Sequence, residues 1–365
     1  MPRLTIDLRM YRHSGIGRYL RNLTPLLLPL LQTKAIRVLG SSALFGNAPW
    51  LHDPRIELHE TEAPIYSLAE QALALGPALR NAGLLWVPHY NAPLLYRGPL
   101  VVTIHDIAPI ALPEILSNSI KRRYARLLIE RSVARASAIL CVSQFTAAEL
   151  TARLGTDPGK LTVTHLGLDA DWPFAATQHY EPDRVPFLLF VGNVKPNKNL
   201  GLLLEAFTAV RDRIPHRLVL AGRMSGFSTG DEAVMRQADA LGDRVRFTGE
   251  VPDAELITLY AGASALVLPS LYEGFGLPIL EAMQLNCPVF CSTAGSLPEI
   301  AGGAALAFDP RDPASLAACL LQLNIPAVLE TLRRAGRERI QAFSFTHCAE
   351  QTAAVLNAQL ERFPS

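Results

Sequence analysis

Cysteine chemistry is scarce in this sequence. The five cysteines, Cys141, Cys287, Cys291, Cys319 and Cys348, form no Cys-x-x-Cys pair and have apolar flanks. They read as buried small hydrophobes in a reducing compartment, and no His or Cys cluster completes a metal site around Cys287 and Cys291. An excess of one charge is also missing. The chain has 34 Lys and Arg against 33 Asp and Glu, a net of +1, which gives no reason to expect nucleic acid as a partner. No apolar run approaches a membrane span, and the stretch Leu26 to Leu31 is broken by Pro29. No leader is read at Met1-Pro2-Arg3, which runs into a short apolar strand. The expected location is therefore the cytoplasm, at most touching a membrane from its cytoplasmic face. No Asp-x-Asp stands at a strand end to hold Mg²⁺. There is no low-complexity tract and no internal repeat beyond a shared architecture.

What is present fits two packed cores. The chain has 365 residues, 49% hydrophobic and 18% charged. That is longer than one core usually serves and too apolar for disorder. Residues 1–178 carry 18 Lys and Arg against 13 Asp and Glu, and the remainder 16 against 20. Either scatter between domains or an acidic acceptor or membrane surface would account for this. Within 119–136, Lys121, Arg122, Arg123, Arg126, Arg131 and Arg135 interleave with Ile120, Tyr124, Leu127, Leu128 and Val133. This reads either as a solvated basic face or as an amphipathic helix on anionic lipid.

Short apolar runs alternate with helical patterns. Strands are expected at 4–7, 84–87, 100–104 and 138–142, with helices over about 16–31 and 119–136. The alternation restarts at Pro186, with strands at 187–191, 218–221, 245–247, 265–268 and 289–291. Strand–helix alternation gives parallel sheets with helices on both faces, and the restart gives a second doubly wound α/β domain. The expected domains are 1–178, 179–345 and a helix over 346–365 returning to the first. The boundary falls near Asp169 to Val185, and Met224 to Asp231 is expected to be a mobile loop.

The segment with most chemical content runs from Pro269 to Met283. A buried strand ends, the turn Glu273-Gly274-Phe275-Gly276 follows, and a helix opens near Leu277 with Pro278 in its first turn. Open α/β sheets bind ligands beyond the carboxyl ends of their strands. The glycines admit a close ligand, the helix start offers N–H groups to phosphate, and Glu273 and Glu281 are spaced to reach different parts of one ligand. Gly192-Asn193-Val194-Lys195-Pro196-Asn197-Lys198-Asn199 is a second strand-to-helix loop. In it Lys198 offers a point charge to a diphosphate and Asn199 resembles a helix cap. His105 follows the strand 100–104 and stands at a sheet edge, as a structural or a functional residue. Gly15, Gly17 and Arg18 form half a dinucleotide fingerprint. Leu20 occupies the place of the third glycine and no acidic partner follows, so a nicotinamide site is discounted.

Together these segments resemble the family 4 glycosyltransferases of GT-B fold. Glu273 and Glu281 match the family's Glu-x7-Glu element, with Gly-Phe-Gly-Leu-Pro between them. Softer matches at 139–143, 166–169, 247–249 and 296–302 follow in the family's order. The resemblance implies two facing Rossmann-like domains around a cleft. It implies retaining transfer of a hexose, without a cofactor or bound metal, from a UDP- or GDP-linked donor to a glycan or lipid-linked acceptor in cell-surface polysaccharide synthesis. It places the donor sugar on Glu273 and the backbone of Gly274 to Leu277, the ribose on Glu281, and the diphosphate on Lys198, with His105 facing the sugar from the first domain. Domain closure would then exclude water from the donor. Many members carry an arginine where this chain has Asn193, so a second cation is expected from Arg18 or Arg223. Two rivals are an epimerase or hydrolase on the same fold, using His105 with Asp106, and a non-catalytic sugar-nucleotide-binding subunit.

Overall fold

The computed structural model describes residues 4–80, 82–115, 118–168, 172, 185–223 and 231–363. It divides into two compact units: Met1–Ile107, Ile120–Asp169 and Ser344–Ser365 form the first, and Ala108–Ser119 with Ala170–Phe343 the second. Except for Trp172 and Val185, the expected boundary stretch from Asp169 to Val185 lies outside the described residues. So does the expected loop from Met224 to Gly230, while Asp231 opens a helix.

The first unit holds β1 (Leu4–Asp7), β2 (Ile36–Gly40), β3 (Ile56–Glu60), β4 (Leu84–Val87), β5 (Leu100–Ile104), β6 (Ala138–Cys141) and β7 (Leu161–Val163). They form one parallel sheet in the order β3-β2-β1-β4-β5-β6-β7. The central strands β1, β4 and β5 are buried along their whole length and mostly apolar, as strands covered by helices on both faces must be. β2, β3 and β7 were not expected. β3 (IELHE) is a half-exposed edge strand whose polar alternation hides it among loops, and β7 has only three residues.

The first helix runs Ser14–Leu27 and continues as a short 3₁₀ turn, Leu28–Leu30. Gly15, Gly17 and Arg18 therefore lie in its opening turns, not in a glycine loop. Gly17 serves packing: a Cβ there would stand 2.6 Å from the Tyr11 carbonyl oxygen. The final helix, Phe345–Arg362, packs on this helix and is tied to its end by Asn357, which accepts from Gln32 N and donates to Leu30 O.

The second unit holds β8 (Phe187–Val191), β9 (Arg217–Ala221), β10 (Val245–Gly249), β11 (Ala265–Leu268), β12 (Val289–Ser292) and β13 (Leu306–Phe308). These form a parallel sheet in the order β10-β9-β8-β11-β12-β13. The helix Leu200–Val210 buries seven of its eleven residues, among them Leu203, Leu204 and Phe207, against β8 and β9. Each sheet reverses its winding at one place, between β1 and β4 in the first unit and between β8 and β11 in the second. In open α/β sheets that switch point opens a crevice at the carboxyl edge.

Candidate active site

In the second unit the switch point brings the two donor-loop candidates together. The loop after β8 carries Lys198 and the loop after β11 carries Glu273. Lys198 Nζ donates to Glu273 Oε1 at 2.5 Å, and Ser270 Oγ donates to the same oxygen at 2.7 Å. Both charged side chains remain 16–19% exposed, so the pair is accessible from solvent. The loops are also joined through backbone. Leu271 N donates to Asn197 O, and Asn197 Nδ2 to Tyr272 O. Asn199 stands at the helix start in a left-handed conformation without capping it. Its amide instead donates to Pro269 O and Pro310 O, so its role is to hold loops together. Lys198 itself ends a 3₁₀ turn, Pro196–Lys198.

Glu273 is anchored from behind by Gly295 and Ser296, the second of which opens the 296–302 stretch that the sequence matched to the family without giving it a role. Ser296 donates to the Glu273 carbonyl through both N and Oγ. Gly295 has φ +63°, and a Cβ there would lie 2.7 Å from Glu273 N and O, so only glycine admits this approach. The turn continues through Gly274 to Gly276, which takes φ +103° as the residue before the helix Leu277–Gln284. Pro278 stands in the first turn, as expected. Phe275 was expected to offer its backbone to the ligand; its ring is buried, edge-on to Phe343 with centroids 6.0 Å apart. Beside the turn, a cavity of about 380 Å³ is lined by Leu112, Leu271, Thr293, Asp309 and Arg311 at the ends of β11 to β13.

Glu281 lies in the second turn of the same helix and is only 5% exposed. Its Oε2 accepts from the fully buried Tyr260 hydroxyl at 2.7 Å. Glu273 and Glu281 thus stand in different settings, one in an accessible ion pair and the other in an interior hydrogen bond. Asn193 Oδ1 accepts from Arg223 N, while the Arg223 side chain pairs with Glu250 at 2.7 Å in an exposed position. Solvent screening makes such a pair weak, so Arg223 is only loosely held.

In the first unit His105 follows β5 as expected and is half-buried. Its Nε2 donates to Pro88 O at 3.0 Å, which leaves Nδ1 as the acceptor, and its ring meets Tyr19 edge-on. Burial lowers its pKa to about 4, so the imidazole is neutral at pH 7. Neutral, with its one N–H on Pro88 O, it presents Nδ1 as a hydrogen-bond acceptor.

His89 follows β4 at the switch point of this unit, and the sequence reading missed it. The same signal that marked His105, a histidine just past a buried strand, would have found it. Its Nε2 meets Tyr66 OH at 2.5 Å, and its buried Nδ1 has no partner. Burial, then the charges of His105 and His13, hold its pKa well below that of free histidine. Tyr66 has φ +62°, a conformation costly for a bulky residue, and its hydroxyl reaches Tyr90 OH at 3.4 Å. Beneath it, Arg9 is enclosed by Asp7 and Glu70 at 2.6 and 2.8 Å. A cavity of about 410 Å³ at the ends of β1 to β3 is lined by Arg9, His13, Ser41, Thr61, Glu62 and Tyr66. Gly15 and Arg18, on the helix that follows β1, do not line it. Among the described residues, no three His, Cys, Asp or Glu side chains are grouped to hold a metal ion. No single helix there is long and apolar enough to cross a membrane.

Comparison with known proteins assigns the chain. The family described as Glycosyltransferase Family 4 matches residues 14–172, and that described as Glycosyl transferases group 1 matches residues 185–324. The O-antigen chain mannosyltransferase B of Escherichia coli is 29% identical over 94% of this chain and 95% of its own. The O-antigen chain mannosyltransferase RfbU of Salmonella typhimurium is 30% identical over 64% of this chain and 63% of its own. The crystal structure of Anabaena HepE in complex with UDP and glucose superposes with a TM-score of 0.72 at 18% identity, covering 98% of this chain and all of its own. With two parallel doubly wound units and both family matches in chain order, the protein belongs to the family 4 glycosyltransferases of GT-B fold.

Proposed function

We propose that this enzyme transfers a hexose, mannose in the first instance, from a GDP- or UDP-linked donor to a glycan or lipid-linked acceptor during cell-surface polysaccharide synthesis. The observation that carries the reading is the Lys198–Glu273 pair at the switch point of the second unit, where two strand ends, a glycine turn and a helix start converge. The mannosyltransferase names of the relatives support the sugar.

The transfer is proposed to retain configuration and to need no bound metal. The anomeric carbon–phosphate oxygen bond breaks, and the acceptor oxygen bonds to the same face. The acceptor's proton passes to the departing phosphate oxygen. No enzymic nucleophile is needed. Lys198 leaves Glu273 to neutralise the departing diphosphate, helped by the N–H groups of Gly274 to Leu277. Glu273, so released, accepts from a sugar hydroxyl and opposes the positive charge developing at the anomeric carbon. Glu281, oriented by Tyr260, receives the ribose hydroxyls. His105 offers its neutral Nδ1 to a sugar hydroxyl. Arg18 and Arg223 are the candidates for a second phosphate cation.

The first unit is proposed to bind the acceptor and to meet the cytoplasmic face of a membrane. Incubation with a panel of nucleotide sugars, following released nucleoside diphosphate with and without acceptor, tests the reading. Release that depends on acceptor supports transfer. Release without acceptor identifies a hydrolase, and binding without turnover a non-catalytic subunit.

A further inference from the structure

The first unit has a second concave site on the sheet edge opposite the one that carries the chemistry. Gly83 precedes β4 and Pro99 precedes β5, so this groove lies at the amino ends of the strands. Its volume is about 630 Å³, and Leu79, Ala82, Tyr96 and Phe363 give it an apolar wall. Arg97 and Arg362 also line it.

Among the described residues the cations here have no acidic counter-charge. Arg135 ends the helix Ser119–Arg135 just before β6, whose start pairs with β5 (Val101 with Ala138, and Ser137 Oγ donating to Leu100 O), so it stands at the same amino edge as Arg97; burial and then the Arg97 charge lower its pKa. Among the described residues neither has an acidic partner, and the Arg362 guanidinium lies over the Phe363 ring, 5.5 Å from its centroid. Like charges held together without a counter-charge favour any anion that reaches them. The rim is apolar where a soluble protein is usually polar: Leu95, which lines the groove, is 49% exposed, and Leu75, next in the chain to the lining residue Ala74, is 68% exposed. Leu68 and Ile120, 87% and 76% exposed, stand on two helices of this unit, joined by the hydrogen bond from Gln71 Nε2 to Tyr124 OH.

We propose that this groove seats an anionic phospholipid of the bilayer, with the phosphate at Arg97, Arg135 and Arg362 and the upper acyl chain along Leu79 and Phe363. Uncompensated cations alone would suit any phosphate. The exposed leucines at the rim select one that carries a hydrocarbon tail and lies in a membrane. The groove is an anchor and not an acceptor site, because it opens at the edge remote from the strand carboxyl ends. The inference rests on the membrane contact proposed above and is independent of the donor chemistry.

The test is cosedimentation with phosphatidylglycerol–phosphatidylcholine vesicles, comparing wild type with the triple variant R97Q/R135Q/R362Q. Each arginine near an anionic surface is worth about fivefold in affinity, so the triple variant should lose well over tenfold. L75S/L95S should also weaken binding, but with the salt dependence unchanged. The variant K121Q/R123Q/R131Q removes the same charge from elsewhere on the helix that ends at Arg135 and should lose much less. Equal losses from the two triple variants would assign binding to overall charge and overturn the groove. So would wild-type binding by the groove variant, or displacement from vesicles by inorganic phosphate at matched ionic strength. If the triple variant fails to fold by circular dichroism, the exposed single changes R97Q and R362Q carry the test. GDP and UDP binding, and transfer to a soluble acceptor, should be unchanged in the groove variants. Loss of those in the wild type would count against the transferase reading and leave the groove unaffected.

Discussion

Lys198 and Glu273 face a competition that can be measured. Without ligand, Lys198 is spent on Glu273 Oε1, with Ser270 donating to the same oxygen. A diphosphate must draw Lys198 away, so the observed affinity is the phosphate contact less the internal pair. The side chains are 19% and 16% exposed, so solvent reaches the pair and its worth is near the upper end of the surface range, about 1 kcal/mol. A charged contact to phosphate is worth about 1.5–3 kcal/mol. Lys198→Ala should therefore weaken GDP or UDP binding by about 10- to 150-fold less the roughly fivefold cost of the broken pair, a net loss of about 2- to 30-fold. Nucleoside binding should hardly move. Glu273→Gln should act in the opposite direction, freeing Lys198 and tightening diphosphate binding by up to about fivefold. Calorimetry with nucleoside and nucleoside diphosphate reads both. Equal losses for the two ligands in Lys198→Ala would remove Lys198 from the phosphate. A large loss in Glu273→Gln would show that the pair assists the diphosphate, contrary to this reasoning.

Three further outcomes follow from the same geometry. Activity should survive EDTA, and loss restored by Mg²⁺ or Mn²⁺ would refute the metal-free mechanism. Tyr260→Phe removes the hydroxyl that orients Glu281, so it should raise the donor KM several-fold with kcat nearly unchanged, as Glu281→Gln should do more strongly; a fall in kcat would place Glu281 at the reacting bond. His216, 6% exposed, is held down to about 4 by burial and then by the Arg244 charge, against about 6.5 in an open chain. As pH falls through 6.5 the unfolded chain binds the proton first, so stability should be lost between about 6.5 and 4, at up to about 1.4 kcal/mol per pH unit. Thermal unfolding of His216→Gln should show a shallower fall over that window, and an unchanged slope would contradict the assignment.

The central strands were readable because burial on both faces leaves continuous apolar runs, such as FLLFV in β8 and LVVTI in β5. The edge strands β3 and β7 were not. One alternates like any half-exposed loop and the other is too short to show a period. The Glu273 loop was legible because strand, glycines, proline and acids adjoin in sequence. Its supports, Ser270, Gly295 and Ser296, are ordinary residues that gain meaning only where the fold sets them against Glu273. Gly15 and Gly17 read as part of a loop, but both open a helix, and Gly17 is there for close packing against Tyr11. A glycine needed for close packing in a helix looks, in sequence, like one needed for a loop. Phe275 was selected for its backbone, and its side chain belongs to the core. Tyr66 and Tyr260 gave no local signal, since each acts through a partner more than twenty residues away.

The measurement that bears most directly on the central claim is the steady-state kinetics of Glu273→Gln with saturating acceptor and a nucleotide sugar that the wild type turns over. Glu273 is assigned to the charge that develops as the sugar leaves its phosphate, an interaction stronger in the transition state than in the bound donor. The account predicts a fall in kcat of about 10- to 150-fold, the worth of one charged hydrogen bond, with the donor KM unchanged or lower. A Glu273→Gln enzyme with wild-type kcat would contradict it, and the donor site would then have to be sought away from the Lys198–Glu273 loops.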